Sequence, residues 1–197
     1  DIGTGGSRAL VVDDTGTILA SSTKPHVAFA SPGPAWAEQD PADWWQAAVG
    51  ATQAALASSG LKASDIQAIG LSGQMHGAVL LDASGEVLRP SIIWCDQRTA
   101  EECRWLDREV GTARLLELTS NPALTNFTLT KLLWVRQHEP EVWSRVRHVL
   151  LPKDYVRLKL SGTHAIDVAD ASGTLMLDVA KRQWSDEMLA ACGIKRE

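Results

Sequence analysis

A chain of 197 residues, 45% hydrophobic and 22% charged, has the composition of a soluble globular protein and enough material for one domain with a substantial core. Its net charge of −5 argues against nucleic acid or an anionic membrane as main partner, and no apolar run approaches the length that crosses a bilayer. Cys95, Cys103 and Cys192 are odd in number and form no C-x-x-C pair, and no signal peptide opens the chain, which points to free thiols in a reducing cytoplasm. Five histidines without H-x-x-x-H spacing speak against a structural zinc site.

Asp1-Ile2-Gly3-Thr4-Gly5-Gly6-Ser7-Arg8 reads as a glycine-rich turn feeding a strand over 9–12, and Asp14-Thr15-Gly16 turns it into a hairpin with Ile18-Leu19-Ala20. Such a turn offers free N–H groups, the Thr4 hydroxyl and the Arg8 cation, a set that cradles phosphate. The Asp1 carboxylate suits Mg²⁺ or its waters. It is not a Walker loop, and ordinary hairpins carry glycines too. Residues 24–40 read as loop. Asp40-Pro41 then supplies an N-cap and N1 pair for a helix running through Trp44, Trp45, Ala48 and Ala55 to a C′ glycine at Gly60, with the tryptophans turned to the core.

The centre of the chain is Gly73-Gln74-Met75-His76-Gly77, entered from an expected strand over 66–71 and left by one over 78–82. Gly73 and Gly77 would permit positive φ and close approach by a ligand, while the amide, thioether and imidazole between them suit a small polyol. A tight structural turn with a satisfied histidine fits the same residues.

Beyond it, 91–94 reads as a strand ending in Cys95-Asp96-Gln97-Arg98-Thr99, where Asp96 either caps the next helix or faces a ligand. Helical patterns at 115–118 and 130–138 are split by Asn121-Pro122 and closed by Glu139-Pro140. A buried strand over 149–151 leads into a helix from Pro152 to Leu160. Residues 170–174 read as a polar turn, and Ser185 caps the last helix. Hairpins first, then alternating helices and strands, predict an α/β fold: a mixed sheet with antiparallel strands on one side and flanking helices.

Seven blocks in order, Asp-Ile-Gly-Thr (1–4), Trp-x-Glu-Gln-Asp-Pro (36–41), Gly-Gln-Met-His-Gly (73–77), Trp-Cys-Asp-Gln-Arg (94–98), Lys-Leu-Leu-Trp (131–134), Leu-Leu-Pro-Lys-Asp-Tyr (150–155) and Asp-Ala-Ser-Gly-Thr (170–174), resemble the FGGY carbohydrate kinases, and within them the xylulokinase branch. The resemblance spans essentially the whole chain. It implies an actin-like, ribonuclease-H-like fold in which residues 1–197 are most of the N-terminal, sugar-binding domain. It makes Asp1 the catalytic carboxylate of the Mg²⁺ and phosphate region, with Gly3 and Thr4 as phosphate ligands; Arg8 joins them as a phosphate ligand on the reading of the turn itself. It places Met75 and His76 against a ketose, with Trp94 beside it and Asp96 behind; Gln74, in the same turn, is a further candidate substrate contact. The family's general-base aspartate lies in a Gly-Gly-x-Asp-Asn-type turn that this sequence does not contain, and the chain opens at Asp1 without a methionine. The expectation is therefore a piece of a longer enzyme, inactive alone, whose nucleotide-binding domain lies elsewhere. The implied reaction is ATP- and Mg²⁺-dependent phosphorylation of D-xylulose to D-xylulose 5-phosphate, in the cytoplasm, with homodimerisation left open. Another FGGY sugar or polyol kinase, or a non-catalytic sugar-binding module, stands as the alternative.

Overall fold

A computed structural model describes residues 1–196. In chain order its elements are β1 (Gly6–Val12), β2 (Ile18–Pro25), β3 (Glu38–Gln39), α1 (Pro41–Ser59), β4 (Val79–Leu81), β5 (Ser91–Ile92), α2 (Ala100–Leu106), α3 (Thr112–Thr119), α4 (Thr128–His138), α5 (Pro140–Arg145), β6 (His148–Leu150), α6 (Pro152–Ser161), α7 (Val168–Ser172), β7 (Leu177–Asp178), β8 (Gln183–Trp184) and α8 (Asp186–Ala191). The strands form four antiparallel pairs, β1–β2, β3–β5, β4–β6 and β7–β8, rather than one continuous sheet. Among the described residues the parallel element of the expected mixed sheet is a single bridge, Ile2 to Gly73.

The β1–β2 hairpin closes where Asp13 Oδ1 accepts from the N–H groups of Thr15 and Thr17, and where Gly16 takes φ 86°. One face of it rests on α1, whose buried Pro41, Trp44, Ala47, Ala51 and Ala55 recur at helical spacing. Asp40 caps α1 by accepting from Ala42 N at 2.9 Å, and Gly60 ends it at φ 75°, as expected.

β4 is buried on both sides because it divides two cores. Val79 and Leu81 join Ile2, Trp44, Ile93, Leu150, Tyr155 and Val156, while Leu80, one residue out of phase, joins Leu106, Leu115, Leu129, Leu132, Val135, Leu175 and Met188. A strand wet on neither face needs no polar alternation, which is why 78–81 reads as an unbroken apolar run.

Several expected elements differ. Residues 66–71 are not a strand: with no ladder partner among the described residues, they run from a 3₁₀ turn (Ala63–Asp65) to the Gly73 bridge, and Ile69 is 67% exposed. Asp96 does not cap α2; Thr99 holds the N-cap position. The polar turn expected at 170–174 is mostly α7, capped by Asp167, which accepts from Asp170 N. Pro140 does not end helical structure but starts α5, since proline is tolerated at N1.

The glycines of the central turn are small for a different reason from the one expected. Neither Gly73 nor Gly77 has positive φ; His76 between them does, at 63°. A Cβ on Gly73 would meet Ile2 O at 3.0 Å and Lys153 Cβ at 3.1 Å, and one on Gly77 would meet Pro152 Cγ at 2.7 Å. The close approach is by neighbouring chain. Gly77→Ala should therefore destabilise the fold by about 1–3 kcal/mol, as overpacking does. Gly70→Ala, whose new methyl meets nothing within 4 Å, should stay within about 0.5 kcal/mol. Chemical denaturation of both variants checks the pair.

Candidate functional site

The N-terminal turn and the Gly73–Gly77 turn are bonded to each other. The backbone of Ile2 sits between them, donating to Ser72 O at 2.8 Å and accepting from Gln74 N at 2.7 Å. That ladder brings Gln74 under the first turn, where its Nε2 donates to Gly3 O (3.3 Å) and to Gln39 Oε1 (3.0 Å). Gln39 in turn donates to Thr4 O at 2.8 Å and accepts from Trp44 Nε1 at 3.1 Å. Trp94, just beyond β5, donates from Nε1 to Thr4 Oγ1 at 2.8 Å. Gln74, Thr4, Gly3 and Trp94 thus form one hydrogen-bonded cluster with Gln39 at its hub.

Gln39 belongs to this cluster although its local sequence does not mark it as a site residue. Its signal was present in the Trp-x-Glu-Gln-Asp-Pro block, but an isolated glutamine before a helix cap gives no sign that it is 5% exposed and bonded to two distant turns.

Asp1 stands at the rim of this cluster. Its Oδ1 accepts from Ser72 Oγ at 2.9 Å. Its Oδ2 lies over Gly3, 3.5 Å from where a Cβ would stand, and accepts no hydrogen bond among the described residues. The N–H groups of Thr4 and Gly5 likewise have no intramolecular acceptor there. One free carboxylate oxygen beside two free N–H groups fits a cation that arrives with a phosphate. No group of three or more His, Cys, Asp or Glu among the described residues could hold a metal by itself. Arg8 gives its backbone N–H to Asp1 O, but its guanidinium bonds Ser21 of β2 at 3.3 Å, along the hairpin.

On the other side of Gln74 the chain exposes Met75 (51%) and then turns back through His76 (7%). The imidazole is edge-on to Phe127 with centroids 4.8 Å apart, and Nδ1 lies 3.0 Å from Gly173 O. A carbonyl only accepts, so Nδ1 carries the proton and Nε2 keeps its lone pair. Burial, followed by the charge of Lys131, lowers the pKa of this ring to about 4. At neutral pH His76 is an uncharged ring with one pinned donor and one spare acceptor. Gly173 is required for this: a Cβ there would stand 2.3 Å from His76 Cε1.

Trp94, 43% exposed, and Met75 supply the apolar surface of the region. Asp96 is placed behind it and is fully buried. Its Oδ2 accepts from Ala37 N at 2.6 Å, and both its oxygens accept from Arg98. Arg98 lies over the rings of Trp36 (3.9 Å) and Trp134 (4.7 Å) and pairs with Glu38, which Arg89 also holds. That buried network fixes the Trp94 turn against β3 from behind.

The arrangement offers hydrogen-bonding groups and an apolar wall to a small polyhydroxylated molecule, next to a turn with free N–H groups and a free carboxylate oxygen. That pairing suits transfer of a phosphoryl group onto a hydroxyl.

The pKa of His76 has a consequence for stability. Its folded-state value of about 4 lies below the ordinary 6.5, so between these values the unfolded chain binds a proton that the folded chain does not. Stability should fall as pH drops across that window, and His76→Gln should flatten that part of the curve. Urea midpoints measured against pH check it.

A model of the N-terminal domain of the FGGY family of carbohydrate kinases matches residues 1–197. Among curated proteins the chain is 48% identical to a xylulose kinase of Klebsiella pneumoniae, over all of this chain and 40% of that protein. Among solved structures, a xylulose kinase from Rhodospirillum rubrum superposes with a TM-score of 0.92 at 32% identity, over 99% of this chain and 40% of that one. A gluconate kinase from Lactobacillus acidophilus gives 0.92 at 26% identity, over 100% and 39%. The chain spans about 40% of the length of the curated relatives it matches. The fold is therefore that of the sugar kinases with an actin-like core, here drawn as helices over short antiparallel pairs.

Proposed function

Since the chain belongs to the FGGY family of carbohydrate kinases, we propose that it is most of the sugar-binding N-terminal domain of an ATP-dependent, cytoplasmic kinase that phosphorylates D-xylulose. The observation that supports this reading is the direct bonding of Gln74, in the Gln74–His76 turn, to the Gly3-Thr4 turn, which sets the candidate sugar turn beside the candidate phosphate turn. The xylulose kinases among its relatives supply the substrate.

In this reading His76 Nε2 accepts from a hydroxyl of the ketose, Met75 and Trp94 flank its carbon skeleton, and Gln74 holds the turn in register. Asp96 acts from behind by fixing the Trp94 turn. The free N–H groups of Thr4 and Gly5, with Gly3 giving close approach, receive phosphate oxygens, and Arg8 contributes its charge from the hairpin. When bound, Mg²⁺ carried by ATP would neutralise charge on the transferred group, and Asp1 is the residue that would hold it. Such chemistry asks the protein chiefly for in-line positioning and exclusion of water. The general base and the nucleotide-binding domain belong to the remainder of the parent enzyme, so residues 1–197 alone are inactive in this account. The structural likeness to a gluconate kinase makes an aldonate the competing substrate.

The parent enzyme, assayed for ADP release with D-xylulose, gluconate and glycerol, should turn over the ketose in preference; preference for gluconate would overturn the substrate assignment. In the same enzyme Asp1→Ala should lower kcat by about 10²–10³ with little change in the sugar KM, the signature of lost charge stabilisation. A normal kcat with weakened sugar affinity would move Asp1 to the sugar.

A further inference from the structure

Lys131 lies on α4 and is fully buried, yet among the described residues no carboxylate oxygen comes within salt-bridge distance of it. Removing an ammonium from water without a counter-ion is costly, and an apolar side chain would fill the same space at lower cost. The amine is instead spent on two backbone carbonyls. Nζ donates to His76 O at 2.8 Å and to Asn126 O. Thr128 Oγ1 adds a weaker bond to the same His76 carbonyl at 3.3 Å.

These two carbonyls control one side chain. His76 is in the left-handed region, uncommon for a residue with a Cβ, and its carbonyl points inward to Lys131. Asn126 precedes Phe127, the ring on which the His76 imidazole rests edge-on. Holding both carbonyls sets the backbone that carries the imidazole and the surface beneath it. Gly173 O then fixes the remaining rotation through Nδ1.

We propose that Lys131 is a positioning residue for the sugar turn, its ammonium clamping the His76 and Asn126 carbonyls so that His76 Nε2 stays aimed at the substrate. This rests on the reading above that His76 meets the sugar. Lys131 acts only through the turn, since it has no exposed surface from which to touch a ligand.

The electrostatics agree with that geometry. Burial pulls the Lys131 pKa down to about 7 against the opposing pull of Asp96 and Cys95, while Arg98 pushes it further down. Those three groups face it from the turn after β5, and His76 faces it from across the clamp. The lysine charge in turn helps keep His76 unprotonated, leaving its Nε2 lone pair available.

The test uses the parent enzyme, comparing wild type, Lys131→Met and Lys131→Gln by thermal melting and by kcat and KM across pH. The assays use whichever sugar the wild type turns over, so a wrong substrate assignment shows in the wild type and leaves the lysine comparison intact. Lys131→Met should raise the sugar KM about tenfold with kcat changed far less, because two buried carbonyls lose their donor. It should also move the acid limb of kcat/KM to higher pH, since removing the charge lets His76 protonate sooner. Lys131→Gln, which donates without charge, should recover part of the KM and none of the acid-limb shift. A lowered melting temperature with unchanged KM and acid limb would overturn the proposal, as would failure of both variants to fold, which would make the lysine purely structural.

Discussion

His76 adopts a left-handed backbone conformation in a chain that could have placed glycine there, and much of the surrounding structure is what holds it. Its carbonyl is turned inward onto Lys131 and Thr128, its ring is pinned by the Gly173 carbonyl, and Phe127 supports it edge-on. Two of these restraints lie on α4, one on the residue just ahead of it and one on the turn after α7, so all three places must be formed before the imidazole has one orientation. Gly77 and Gly173 are small so that Pro152 and the imidazole itself can approach. A single rotamer fixed from three places in the chain is a preorganised group, and preorganisation is what a positioning site requires.

The amide network on the other face of the turn does a different job. Gln39 and Gln74 each have a donor and an acceptor end. Buried together, they satisfy Gly3 O, Thr4 O and Trp44 Nε1 while bonding each other. Two carboxylates here would repel, and two apolar residues would leave those carbonyls unpaired. Neutral amides let the chain join its two candidate half-sites at low dielectric without a charge that would compete with a phosphate or its cation.

Charge is kept a layer further back. Asp96, Arg98, Glu38 and Arg89 form a buried set around Trp36 and Trp134, and Lys153 meets Asp154, Asp167 and Asp170 at 2.6, 2.8 and 3.2 Å behind Gly73. The first set ties together elements far apart in sequence, and the second joins α6 to α7. Asp96, whose residue type suits a ligand contact, is absorbed into the first set because Ala37 N and Arg98 reach its oxygens before any small molecule would.

Local chemistry was enough for much of this protein. The caps at Asp40, Gly60 and Ser185, the hairpin turn at 14–16 and the helices after Pro41 and Pro152 depend on residues within a few positions of each other, and they stand where composition and spacing put them. The ordered blocks also carried the family. Long-range partners account for the rest. An apolar run at 66–71 becomes a strand only if another backbone lies beside it, and among the described residues only Ile2 does, at its far end. A glutamine at position 39 and a lysine at position 131 look ordinary until the fold brings them against the Thr4 and His76 carbonyls, contacts spanning 35 and 55 residues. The sequence by itself determined the first hairpin, the main caps and the helices they open, because their hydrogen bonds close locally; tertiary structure alone decided which side chains meet at the site, because a buried polar atom takes whatever partner the packing delivers.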